Sequence, residues 1–139
     1  METHFLNEAV TGLERPEAAP FSPLPWYNPH GDCIVYQIED EAVVADRVDE
    51  FLTIYRSAED DRPIGFELKE VMALVRTFGC DTLRVDAELK GDELISVRAL
   101  YLAAYEQVPK SIRRRQAYAS APLPHPGRDT VAIPQQSAA

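Results

Sequence analysis

Prolines crowd two stretches near the ends of this 139-residue chain, and their distribution constrains the fold more than any other feature. The first stretch covers residues 16–29 and the second covers residues 122–134. Proline fixes φ, lacks a backbone N–H and biases the preceding residue toward extended geometry, so neither stretch suits a regular helix or a central strand. We therefore expect an N-terminal extension and proline-rich arm over 1–25, a single α+β domain over 26–120, and a flexible C-terminal tail over 121–139.

The segment between the prolines contains several patterns typical of strands. Residues 34–38 and 64–68 place large apolar side chains at every second position, and residues 51–56 are rich in β-branched and aromatic ones. Because the polar segment 57–63 joins the runs 51–56 and 64–68, we expect these two runs to form a hairpin. Valines over 43–48 indicate a further extended piece whose direction the pattern leaves open, and residues 83–89 alternate again.

Two other segments show the spacing of a helix. Apolar side chains at 71, 74, 75 and 78, followed by Gly79 as a C-cap, predict an amphipathic helix over 69–78. Residues 93–107 also keep helical spacing, although a strand paired with 83–89 is the alternative there. We therefore expect an α+β fold in which a small antiparallel sheet of three to four strands packs against one or two helices, with proline-rich flexible arms at both ends.

Charge is strongly segregated along the chain, whose formal net charge is −9. Residues 32–93 hold seventeen acidic and seven basic side chains, whereas residues 94–139 hold two acidic and six basic ones. A negative field repels phosphate backbones, which disfavours nucleic acid as a partner and favours a basic protein. The alternative is that these carboxylates form a solvated face that keeps the protein soluble.

Several classes of protein are disfavoured by what the sequence contains. It has no apolar run of the roughly 20 residues that a membrane span requires, and its first residues, Met1–His4, lack the basic start of a secretory signal. We therefore expect no membrane association and a cytoplasmic location. Cys33 and Cys80 lie far apart without metal-ligand or redox spacing, so we expect free thiols, no metal site and no cofactor.

One short constellation resembles a catalytic site. His30, Asp32 and Cys33 offer a base, a carboxylate and a thiol, and they are the candidate catalytic residues if the protein is a small enzyme with a Cys/His/carboxylate site. Neighbours in sequence rarely supply both a nucleophile and its base, because those side chains must converge in space. We therefore favour a turn acceptor for Asp32 and a buried strand position for Cys33, and the question of enzymatic activity stays open.

The residues from Asp32 to Leu68 resemble a family of small uncharacterised bacterial domains. The resemblance rests on the opening Asp32 with its alternating apolar residues, on a Val-x-Asp step, and on the strand Ile64-Gly65-Phe66-Glu67-Leu68. Members look like compact β-meanders followed by a helix, and some are regarded as antitoxins encoded beside toxin genes. The resemblance implies no catalytic residues.

Two groups of side chains are candidates for contact with a partner: Phe21, Leu24 and Trp26 in the first arm, and Arg113, Arg114 and Arg115 after Pro109. Leu123, Val131 and Ile133 offer similar apolar bulk in the tail and could dock on a partner as an extended segment. If the tail has this role, deletion of 122–139 should leave the thermal midpoint nearly unchanged and weaken partner binding. The function we expect is a non-enzymatic protein-interaction or regulatory module, antitoxin-like in its more specific form. It would bind another protein, a basic one or a second copy as a homodimer, through its acidic face or its extended arms.

Overall fold

A computed structural model describes residues 21–79 and 92–134 of the chain. An antiparallel five-stranded sheet forms its centre, with the spatial order β1-β2-β5-β4-β3. The expectation of three to four strands was therefore too low, because the residues after Pro25 pair as an edge strand and the valine-rich segment pairs as the other edge. The strands are β1 (Trp26–Asn28), β2 (Cys33–Gln37), β3 (Val43–Arg47), β4 (Leu52–Ser57) and β5 (Pro63–Lys69).

The period of two places the strand side chains on two different faces. One face carries Ile34, Ile54 and Phe66, which pack with the helices in the main core. The other face carries Cys33, Val35 and Tyr55 in a smaller cluster. The hairpin expected from residues 51–68 is confirmed as β4 and β5, which exchange main-chain hydrogen bonds across a short turn.

Three helices in the described residues pack on the first face: α1 (Val71–Phe78), α2 (Val97–Gln107) and α3 (Ile112–Ser120). The predicted helix over 69–78 is confirmed from Val71 onward, since Lys69 ends β5 and Glu70 is the N-cap. Gly79 after it has the positive φ of 87° that glycine tolerates. Ser96 and Ser111 cap α2 and α3, each accepting a hydrogen bond from a backbone N–H three residues later. None of the helices in these ranges is long and apolar enough to cross a membrane.

The ambiguous segment 93–107 contains both of the predicted structures. Its first residues form strand β6 (Asp92–Ser96), and the remainder forms α2. The partner of β6 is β7 (Thr130–Pro134), which lies in the segment expected to be a flexible tail. The strand expected over 83–89, which the alternative pairs with this segment, lies outside the described residues.

The position of β7 corrects the expected boundary at residue 120. Val131 and Ile133 are buried in the main core, so they are not free to dock on a partner, and the folded body extends to Pro134. The proline argument missed this strand because Pro122, Pro124 and Pro126 precede it. Pro134 is its last residue, and β7 belongs to a two-stranded sheet, where it is an edge strand that tolerates proline.

Gly65 is the one position in the central strand where a side chain has no room. A Cβ built there would lie 2.3 Å from the carbonyl oxygen of Tyr36 and 2.9 Å from the Cα of Gln37. Glycine therefore allows β2 and β5 to approach closely, next to the irregularity between Tyr55 and Arg56 in the β4–β5 ladder.

Candidate functional site

Two acidic connections meet at one end of the sheet. The strand order places the β2–β3 connection beside the β4–β5 turn, because both leave the sheet on the same side. The backbone N–H of Ala58 donates to the carbonyl of Ala42 at 2.9 Å, which joins them directly. We call this surface the acidic end; its residues are Glu39, Asp40, Glu41, Glu59, Asp60, Asp61 and Arg62.

Arg62 is the cation around which these carboxylates gather. Its guanidinium forms ion pairs with Glu39, with Glu41 at 3.3 Å and with Asp60 at 2.7 Å. Ser57 also donates its hydroxyl hydrogen bond to Glu41 at 2.7 Å. Three of the six carboxylates therefore share one guanidinium, and the acidic end keeps a large excess of negative charge.

Hydrogen bonding favours the ionised form of two of these carboxylates. The hydroxyl of Ser57 lowers the pKa of the Glu41 carboxyl, and the backbone N–H of Arg62 lowers the pKa of the Asp60 carboxyl. Both groups are solvent-exposed enough to meet another molecule. The described residues contain no group of three or more histidine, cysteine or acidic side chains placed to hold a metal ion.

The three catalytic candidates do not share a site. The Asp32 carboxylate accepts hydrogen bonds from the Tyr27 hydroxyl at 2.8 Å and from the Met72 backbone N–H at 3.1 Å. It therefore caps the first turn of α1, where Glu70 provides no side-chain cap. His30 is exposed, and its backbone N–H is bound to the side chain of Asn28.

Cys33 is buried on the second face of the sheet, as its strand pattern predicted. Burial, together with the neighbouring Glu67 carboxylate, raises the pKa of the Cys33 thiol to about 12. A thiol with a raised pKa holds its proton, whereas a cysteine nucleophile requires the thiolate. The contact with Glu67 thus suits a structural thiol better than a reactive one.

Glu67 itself is a site that the sequence pattern did not reveal. It lies in β5, the middle strand, and only 8% of it is exposed. The hydroxyl of Tyr55 donates to its carboxylate at 3.5 Å. The alternation in the sequence predicts that Glu67 and Phe66 lie on different faces of the sheet. Only the fold shows that the face of Glu67 is also covered.

The arginine patch on α3 divides into inward and outward members. Arg114 lies with its Nε 3.5 Å from the Asp49 carboxylate, whose side chain is 2% exposed. Asp49 also accepts from the Tyr118 hydroxyl at 2.9 Å and from the backbone N–H groups of residues 51 and 52. Arg113 and Arg115 are exposed, and Arg113 also donates to the carbonyl of Val48 at 3.4 Å.

The candidate contacts in the first arm also differ from one another. Trp26 is part of β1 and packs against Cys33 and Val35, so it helps to cover the second face of the sheet. Phe21 is half-buried and has a contact of its own. Leu24 has 43% of its surface exposed and is the most available apolar side chain of the three.

Comparison with protein-family models, with curated proteins and with solved structures finds no match for this chain. The family resemblance over Asp32–Leu68 therefore stays a prediction.

Proposed function

We propose that this protein is a non-enzymatic interaction module whose acidic end binds a basic partner protein. The observation that carries the proposal is the convergence of two acidic connections, held in one arrangement by Arg62 and Ser57. A preformed surface of one charge attracts its partner over several ångströms and loses little conformational freedom on binding.

An antitoxin-like role is the more specific form of this proposal. Antitoxins act by binding another protein, and the resemblance over Asp32–Leu68 covers both acidic connections. We further propose that the first arm, through Leu24, adds apolar contact to the same partner, and that the protein works in the cytoplasm. The free thiol of Cys33 suits a reducing compartment.

The alternative of a small Cys/His/carboxylate enzyme has less support. It requires His30 or a nearby base to meet an ionised Cys33, whereas Cys33 is buried with a raised pKa and Asp32 is engaged in capping α1. The interior contacts thus support a role in stability, and we assign the function to the surface.

The charge of the acidic end is testable with a decalysine peptide in isothermal titration calorimetry. We expect the double substitution Asp40→Asn and Glu59→Gln to weaken binding about two- to thirty-fold, since each exposed ion pair contributes roughly 0.2 to 1 kcal/mol. Neither side chain has a hydrogen bond in the acidic end, so the fold should be unchanged. Raising the salt concentration should also lower the affinity of the wild-type protein for the peptide, because salt screens exposed charges.

The matched control is the double substitution Glu50→Gln and Glu106→Gln. It removes the same charge from exposed positions at the other end of β3 and on α2. The proposal predicts near wild-type affinity for this control. Equal loss of affinity in the two double variants would mean that net charge alone attracts the peptide, which contradicts a defined acidic end.

A further inference from the structure

Strand β3 forms one edge of the sheet, and the hydrogen bonds around it show which backbone groups point outward. Val48 donates to Leu52, and Ala58 donates to Ala42, so the even-numbered residues of this ladder bond to β4. The N–H and C=O groups of Val43, Ala45 and Arg47 therefore face away from the sheet. In the ranges 21–79 and 92–134 these groups have no backbone partner.

The side chains along this edge give it only part of the usual protection against pairing. β3 carries the charged residues Asp46 and Arg47, but it lacks proline, lysine and a bulge, which are other common devices that prevent edge pairing. Val44 has 55% of its surface exposed. The side chain of Val44 lies on the same face of the sheet as those of Asp46 and Val48, because these residues are two positions apart along the strand.

A cleft lies on that same face, between the end of β3 and helix α3. Its volume is about 270 Å³, and its lining combines the apolar Val48 and Ala117 with the polar side chains Asp46, Arg56, Arg113, Gln116 and Ser120. Asp46 is paired with Arg56 at 3.1 Å, so an apolar group placed beside it would not bury an unpaired carboxylate.

We propose that β3 pairs with β3 of a second copy of this chain, antiparallel and around a two-fold axis at Ala45. In this register Val44 of each copy lies opposite Asp46 of the other and next to the cleft beside Val48. Val44 and the cleft lie at opposite ends of the strand within one copy. The two-fold axis therefore places Val44 of each copy next to the cleft of the other copy, which gives two identical contacts.

Charge is also complementary in this register. Arg47 lies opposite Val43 of the second copy, and Glu41 precedes that Val43 by two residues, just before the start of β3. The Glu41 carboxylate already contacts Ser57 and Arg62, and Arg47 would be an additional partner. Arg47 is exposed, and its guanidinium otherwise contacts only the carbonyl of Asp49 among the described residues. Diagonal neighbours on one face of an antiparallel pair are within reach of a long side chain, so two Arg47–Glu41 ion pairs can form across the axis.

A second copy fits these features better than an unrelated extended peptide does. A peptide would satisfy the outward backbone groups equally well, because strand addition depends on the main chain. Only a second copy of this segment supplies a valine for the cleft and an acidic residue for Arg47 at the spacing that the two-fold axis requires. The backbone pairing and the valine contact do not involve the acidic end, which the interface touches only through Glu41.

Sedimentation velocity of the full chain over increasing concentration tests the proposal. We expect the mass to rise from 15.6 kDa toward twice that value, with half of the transition below roughly 1 mM because the interface is small. Val44→Asp should keep the mass at the monomer value. Leu102→Asp is the matched control, because Leu102 is 62% exposed on α2, and it should dimerise as the wild type does.

Amide hydrogen exchange measured by NMR locates the interface. The amides of Val43, Ala45 and Arg47 should exchange more slowly as concentration rises, whereas those of Val44 and Asp46 should be protected at every concentration. A monomer throughout the concentration range would overturn the proposal. So would a dimer in which the three outward amides keep their fast exchange, or one that Leu102→Asp dissociates and Val44→Asp does not.

Discussion

Ile133→Ala is expected to lower the free energy of unfolding by about 2 to 5 kcal/mol, the usual cost of truncating a large buried aliphatic side chain. Ile133 is 1% exposed and packs in the main core from the last strand of the described chain. Urea unfolding followed by circular dichroism measures the change. The matched control is Ala132→Ser, which alters the alternate, half-buried face of β7 and should change the stability by less than about 0.5 kcal/mol.

Deletion of residues 130–139 should have a larger effect than the point variant. It removes Val131 and Ile133 from the core and takes away the strand that pairs with β6. A domain of this size has only about 5 to 15 kcal/mol of net stability, so these losses together should abolish cooperative unfolding. This expectation reverses the one drawn from the proline pattern. A thermal midpoint that stays unchanged after the deletion would show that β7 is not part of the folded body.

Asp49→Ala is the second substitution with a large expected effect, about 3 to 5 kcal/mol of destabilisation. The Asp49 carboxylate is almost fully buried and accepts from the Tyr118 hydroxyl and from two backbone N–H groups of the β3–β4 connection. Its removal leaves the half-buried Arg114 without its ion-pair partner. It therefore breaks the link between α3 and the sheet as well as the local turn.

Two further variants separate these contributions in chemical denaturation. Asp49→Asn keeps an oxygen for the backbone N–H groups but removes the charge. Its free energy of unfolding should therefore fall between those of the wild type and Asp49→Ala. Glu50→Ala changes an exposed neighbouring acid and should stay within about 0.5 kcal/mol of the wild type. Equal stability of Asp49→Ala and Glu50→Ala would contradict the buried role assigned to Asp49.

Patterns within a few residues of each other predicted the local structure well. The alternation in β2 and β5, the hairpin that follows β4, and helix α1 were all visible, because burial on one face imposes a period of two or of 3.6. Asp32 was interpreted as a turn acceptor, whereas its carboxylate accepts from the Tyr27 hydroxyl and from the Met72 N–H at the start of α1. The start of α1 lies forty residues further along the chain and became visible only in the fold.

Features that depend on distant partners were missed for a physical reason. Asp49 and Glu67 look like any other acid in a negatively charged segment, because the side chains that surround them come from other elements. Ile133 was placed in a tail since its strand partner, β6, precedes it by almost forty residues. The two acidic runs were both visible, but only the strand order shows that they form one surface.

Photocrosslinking is the most direct measurement of whether a partner protein binds the acidic end. A photoreactive benzoylphenylalanine introduced at Asp40, in full-length protein inside cells of the source organism, should give a discrete covalent product with a basic protein identified by mass spectrometry. The same group at Glu106, an exposed acid on α2, should not give that product. The same product from both positions, or a product from position 106 alone, would contradict the account.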